Sequence, residues 1–309
     1  MRTRAFVMLA ALVAPVLADV DYETEWGTLG TGDGEFDRPV AVAFDPSTKN
    51  IYVADYNNHR IQYFTSTGSF LGKWGSYGTG DGQFMGPTGV AVSPSNGYIY
   101  CADYWNYRVQ FFTPSGSFLN SWGGWGATSG LFDTCAGLTH DASGYVYVAN
   151  SGLHDRIVYF TPSGSFVSSF GASGSGNGQF HGSYGVAVSP STGNIYVADT
   201  GNNRIQYFDS NHSYIGQWGS YGSGAGQFHR PYSIAVSGDA DNVFVMDTFN
   251  NRFQLFTSTG SFLGSFGTGT PKGFLYSNGL ALDTVSEHSH LYVADTQNDR
   301  VIVFRIVEP

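Results

Sequence analysis

Self-similarity at a fixed period constrains this chain more than any other feature. The segment "IYVADYNNHR" (Ile51 to Arg60) returns as "IYCADYWNYR", "VYVANSGLHDR", "IYVADTGNNR", "VFVMDTFNNR" and "LYVADTQNDR". The acidic or amide residue in each is Asp55, Asp103, Asn150, Asp199, Asp247 and Asp295, at spacings of 48, 47, 49, 48 and 48. An arginine follows every time: Arg60, Arg108, Arg156, Arg204, Arg252 and Arg300. A period in this range means one supersecondary unit repeated, each unit needing its neighbours to bury an apolar face.

Within one period, four runs alternate apolar and polar residues between turn residues. In the second copy they are "TGVAV", "YIYCAD", "RVQFFT" and "GSFLNSWG", separated by "SPSNG" and "TPSG". Period-two alternation bounded by Gly, Pro, Ser and Asn predicts short antiparallel strands. Four such strands per unit, arranged radially, predict an all-β, six-bladed β-propeller. The ends predict how it closes. "YETEWGTLGTGDGEF" matches "SFLGKWGSYGTGDGQF" from the fourth strand onward, and the chain stops after a third strand, "RVIVFRI". Tyr22 to Trp26 is therefore expected to complete the last blade and remove a free sheet edge.

The repeats begin only after residue 18. Arg2 and Arg4 precede an apolar run from Ala5 to Ala14, and Pro15-Val16-Leu17-Ala18 ends in small residues. This reads as a signal peptide over residues 1–18, with a propeller domain over 19–309 and a secreted or extracellular product. The run is too short to span a bilayer, so no stable membrane insertion is expected. All 24 acidic residues follow Ala18 and two of the 14 basic ones precede it, which leaves 12 basic against 24 acidic residues, a net charge of −12. Such a surface repels phosphate backbones and argues against nucleic-acid partners. With 16% aromatic and only 12% charged residues, the chain is not of the disordered class.

"GPTGVAVSPSNGYIYCADYWNYRVQFF" and "GVAVSPSTGNIYVADTGNNRIQYF" resemble the NHL-repeat family. The resemblance covers nearly all of residues 19–309 and implies the propeller fold. Its functional implications diverge. Relatives include ubiquitin-ligase substrate-recognition propellers, RNA regulators, receptor sensor domains and a peptide-amidating lyase. The export signal, the lack of zinc-finger cysteines and the charge oppose the first two. The lyase branch holds zinc through channel histidines at "PHS"-type positions, which here read Pro39-Val40, Pro87-Thr88, Cys135-Ala136, Ser183-Tyr184, Pro231-Tyr232 and Ser277-Asn278. That site does not carry over.

Residues repeated in every blade answer a need of every blade. The Asp…Arg set, with Asn58, Asn106, Asn202, Asn250 and Asn298 two places before the arginine, is expected to be scaffold. Positions that differ between blades are the better site candidates. Strand order places the residues before each first strand at the channel mouth: Val40, Thr88, Ala136, Tyr184, Tyr232 and Asn278. Nearby loops add Tyr56, Tyr104, Trp105 and Phe249, with Tyr77, Trp125 and Tyr221 farther out. Tyr184, Tyr232, Asn278, Thr88, Trp105, Tyr56, Tyr104 and Phe249 are thus the candidate ligand-binding residues.

Asp133, His181 and His229 occupy one equivalent position in blades 3, 4 and 5. Imidazole and carboxylate suit a divalent metal such as zinc, so these three are the candidate metal ligands. Cys101 and Cys135 could form a disulfide in an oxidising compartment, and Asn211 heads the single Asn-X-Ser/Thr sequon. No Ser/His/Asp or Cys/His catalytic set is visible, and no cofactor is required by the pattern. The leading expectation is a secreted, non-catalytic scaffold for a protein, peptide or glycan. The alternative is a metal-dependent lyase or hydrolase like the amidating-lyase propellers.

Overall fold

The computed structural model describes residues 19–238, 241–267, 273–283 and 289–307. The candidate signal peptide lies outside the described residues. Six four-stranded antiparallel sheets make up the molecule, each in the order a-b-c-d outward, with a two-stranded parallel pair between blades 3 and 4. In blade 1 the strands are Pro39–Phe44, Ile51–Asp55, Arg60–Phe64 and Phe70–Trp74. The b strand of the first five blades is buried along its whole length, because a neighbour covers each of its faces.

Six apolar clusters form the core, one between each pair of adjacent blades. The contacts joining blades recur with the repeat. Trp26 and Trp74 on d strands sit over Gly68 and Gly116 of the next blade, where a Cβ would meet the indole at 2.7 and 2.6 Å. Tyr52 and Tyr100 donate their hydroxyls to the carbonyls of Pro114 and Pro162, at 3.1 and 2.7 Å.

Blade 6 closes the ring with both ends of the chain. Asp19–Trp26 pairs antiparallel with Arg300–Val307, from Asp19 opposite Val307 to Trp26 opposite Val301. The closing strand is three residues longer than the sequence pattern indicated. Strand c of this blade extends past the others, so residues 19–21 find ladder partners. A register shift between Tyr22 and Thr24 accommodates the join. Glu25 of the closing strand pairs with Arg300, adding a charge contact to the backbone bonds.

Candidate functional site at the channel mouth

The repeated arginines are scaffold in detail. Arg60 Nε donates to Asp55 Oδ2 at 2.7 Å, while its Nη atoms donate to the carbonyls of Thr31, Gly32 and Glu35. Asn58 donates to Asp55 Oδ2 and to the carbonyl of Gly30. The b strand end, the b–c turn and the incoming d–a loop are thereby tied to one buried carboxylate. Blades 2, 4, 5 and 6 repeat the arginine–aspartate contact at 2.7–2.9 Å. Blade 3 departs from it: Asn150 replaces the aspartate, and Arg156 Nε is buried without a hydrogen-bond partner.

The a strands line a central cavity of about 990 Å³. They approach closely where glycine stands. A Cβ on Gly185 would meet the Tyr232 carbonyl at 2.5 Å, so only glycine permits that spacing. The cavity changes character along its length. Toward the a–b turns its wall includes Ala91, Leu138, Val188, Val236 and Leu282, and its loop end includes Tyr56, Tyr104, Trp105, Tyr184, Tyr232, Phe249, Tyr276, Asn278 and Gln297.

All eight candidate ligand-binding residues line this cavity. Tyr184 and Tyr232 pack with ring centroids 4.6 Å apart. Trp105 Nε1 donates to the Tyr56 hydroxyl at 2.8 Å, and its ring meets Tyr104 edge-on at 4.9 Å. A phenol is protonated at neutral pH in any case, and burial, then the neighbouring Tyr104 hydroxyl, pushes that of Tyr184 further up from its ordinary value. Thr88 is different. Its hydroxyl already donates to the carbonyls of Cys135 and Ala136, which makes it an inter-blade tie.

Arg38 and Tyr276 also line the cavity, and sequence reading did not single them out. The available signal was "DRP" in blade 1 and "HRP" in blade 5 where blade 2 has "MGP". At the far end of the cavity, His140 lies edge-on to Tyr100 at 4.7 Å, and burial pulls its imidazole down to about 3.

Two further sequence expectations are corrected. Asp133, His181 and His229 do not converge, and no group of three or more His, Cys, Asp or Glu side chains suited to a metal occurs among the described residues. The equivalence of the three positions is real: each backbone N–H donates to the residue ending strand b. Their side chains, however, stay in their own blades. Asp133 accepts from the His154 ring at 3.0 Å, His181 lies against Gly201, and His229 lies edge-on to Tyr221 and tilted against Phe249. The loop end of the channel wall offers phenols, hydroxyls and amides. His140 and Asp141 stand at its far end and belong to no three-ligand group among the described residues, so the residues present do not fit a divalent metal.

Cys101 and Cys135 are free and buried. Cys101 belongs to the core between blades 1 and 2 and Cys135 to that between blades 2 and 3, on opposite sides of one sheet. Asn211 is exposed in the turn between strands c and d of blade 4.

Comparison with known proteins supports the architecture. The NHL repeat family model matches residues 36–64 and 185–208. No curated protein matches the chain. Among solved structures, a gluconolactonase from Xanthomonas campestris is 13% identical, covering 96% of this chain and 99% of its own, with a TM-score of 0.66. A streptogramin B lyase is 14% identical over 95% of this chain and 89% of its own, with a TM-score of 0.60. The PQQ-bound aldose sugar dehydrogenase of Streptomyces coelicolor is 14% identical over 95% and 100%, with a TM-score of 0.65.

At these identities the likeness establishes fold. The expectation of a non-catalytic scaffold is corrected to this extent: the three structures named above, each matched over most of its own length, are enzymes by their descriptions, so the fold gives no ground for excluding catalysis. The missing Ser/His/Asp set, on which that expectation leaned, has no excluding force on this architecture. Two of the six repeats match the NHL repeat model directly and six four-stranded blades close the ring, so the chain is a six-bladed β-propeller that carries NHL repeats.

Proposed function

We propose that this protein is an enzyme of the lyase or hydrolase class, acting on a small, oxygen-rich cyclic substrate held at the loop-face mouth of the channel. One observation carries the reading. A cavity large enough for such a molecule breaks the sixfold repeat at one end, where Tyr104, Tyr184, Tyr232 and Asn278 gather over an apolar shaft. The enzymes sharing the fold include one named for a sugar lactone and one for an aldose, which supports this substrate chemistry.

The residues divide the work by their chemistry. Tyr184, a half-buried phenol, donates a hydrogen bond to an oxygen that gains negative charge as a ring bond breaks. Tyr232 packs against its ring and limits its rotation, so the donor is oriented before the substrate arrives. Asn278 supplies an amide that can both donate and accept. Trp105, fixed by its bond to Tyr56, presents a flat apolar surface at the entrance. Hydrolysis needs only water as co-reactant. The N-terminal apolar run further motivates an exported protein.

The test is turnover of a panel of sugar lactones and glycosides by purified protein, followed by proton release and chromatography. Turnover of at least one ring substrate is expected, falling in Tyr184→Phe. Absence of turnover across the panel, or full activity in the Tyr184→Phe, Tyr232→Phe double variant, removes the assignment.

A further inference from the structure

The residue just before strand a has a left-handed backbone in five of the six blades. Blades 2 and 4 use glycine there, Gly86 at φ 69° and Gly182 at φ 60°. Blades 5, 6 and 1, which are consecutive around the ring, use Arg230 at φ 55°, Tyr276 at φ 48° and Arg38 at φ 58°. A left-handed backbone costs an L side chain about 1–2 kcal/mol, a penalty that glycine escapes. Three bulky side chains are retained in one contiguous arc where the fold accepts glycine, and outliers of this kind gather at functional positions.

Each of the three is held in place. The Arg38 N–H donates to Asp299 Oδ1 at 2.8 Å, that of Arg230 to Asn203 Oδ1 at 2.8 Å, and that of Tyr276 to Asn251 Oδ1 at 3.0 Å. Arg38 and Tyr276 line the cavity, and Arg230 lies beside it against the lining residue Phe249. The Arg38 guanidinium lies over Tyr56 at 5.5 Å and that of Arg230 over Phe249 at 5.7 Å. Both arginines are exposed, and neither makes an ion pair among the described residues, unlike five of the six repeated arginines. Two unpaired cations thus flank the cavity of a protein with a formal charge of −10. Between them, Tyr276 meets Phe249 edge-on at 5.0 Å.

We infer that this arc recognises an anionic sugar ring as the substrate or its leaving portion, an inference that rests on the channel-mouth reading above. The two planar guanidiniums suit bidentate contact with a carboxylate or phosphate. The faces of Tyr276, Phe249 and Tyr56 suit the C–H surfaces of the ring.

Calorimetric titration of the whole protein with glucuronate, glucose 6-phosphate and glucose tests it, and comparing the first two distinguishes carboxylate from phosphate. At least one anionic sugar is expected to bind about tenfold more tightly than glucose, equivalent to about 1.4 kcal/mol. That advantage should shrink with added salt and disappear in the Arg38→Gln, Arg230→Gln double variant, whose melting temperature confirms folding. Equal binding of glucose, no binding of any of the three, or an advantage that survives in the double variant overturns the inference. Turnover without anionic preference sinks the inference alone and leaves the channel enzyme standing. Anionic preference without turnover supports the inference and removes the enzyme.

Discussion

Arginine does two different jobs in this molecule, and the surroundings of each guanidinium separate them. The repeated arginines from Arg60 to Arg300 lie in the blades, and in five of them the guanidinium meets an aspartate with no exposed surface. Arg38 and Arg230 lie on the loop face, exposed, over aromatic rings and without a carboxylate ion-pair partner among the described residues. The first kind satisfies a need of every blade. The second serves only one side of one opening. A charge whose neighbours complete its hydrogen bonding adds nothing to recognition, whereas one left with donors free at a cavity edge does.

The largest effect should come from breaking the first kind. Asp295 accepts from Leu275 N–H, the Ser277 hydroxyl, Asn298 and Arg300, whose side chain is 1% exposed. Asp295→Ala takes away one of that guanidinium's two carboxylate partners, leaving Glu25, and unpairs the Leu275 N–H and the Ser277 hydroxyl as well. It is expected to destabilise the protein by about 3–5 kcal/mol in urea unfolding. Asn150→Ala in blade 3 strands the N–H groups of Asp133 and Thr134 but no paired charge. Its expected cost is only about 1–3 kcal/mol. Equal losses would mean that the charge pair adds nothing to the turn's hydrogen bonding.

A second separation lies between the two ends of the channel and is read by pH. His140 has a folded pKa of about 3, below its ordinary value. A depressed folded value means that the unfolded chain takes up the proton first. Its contribution is fully present above about pH 6.5 and is lost as pH falls toward 3, at about 1.4 kcal/mol per pH unit. At pH 4.5, His140→Phe is therefore expected to lose less stability than the parent, by about 2–3 kcal/mol relative to the difference at pH 7.5. Parallel pH–stability curves would show that the imidazole is solvated.

How much of this was legible beforehand follows the same division. Blade count, strand order and ring closure were readable because each blade must bury the same two faces, and repeated burial leaves repeated letters. The mouth residues Tyr184, Tyr232 and Asn278 were readable from alignment, since topology fixes where a strand begins. Side-chain direction was not. Asp133, His181 and His229 share a backbone position, yet each rotates into its own loop because a local partner waits there. Cys101 and Cys135 are near in topology but lie on opposite faces of a sheet. Thr88 sits at the mouth with its hydroxyl already committed. Arg38 and Arg230 escaped notice because their meaning rests on a backbone angle that their letters do not display.

At the mouth itself, Tyr184→Phe removes one hydrogen-bond donor and leaves the ring packing against Tyr232 in place. Turnover of a ring substrate is expected to fall by about tenfold, equivalent to about 1.4 kcal/mol of barrier, with unfolding by urea little changed. A fall in stability alone would move Tyr184 from the second group of residues to the first.

The smallest effect has the opposite sign and bears most directly on the comparison. Arg38→Gly and Arg230→Gly put at these positions the residue that blades 2 and 4 already use. Relief of the left-handed strain is worth about 1–2 kcal/mol, and the extra backbone freedom of glycine in the unfolded chain takes back about 0.5–1. Each variant is therefore expected to gain up to about 1 kcal/mol in urea unfolding while weakening binding of an anionic sugar. A scaffold arginine cannot behave this way, because removing it must cost stability. If either glycine variant unfolds more easily than the parent, that arginine is holding the loop, and its left-handed backbone reflects packing instead of recognition.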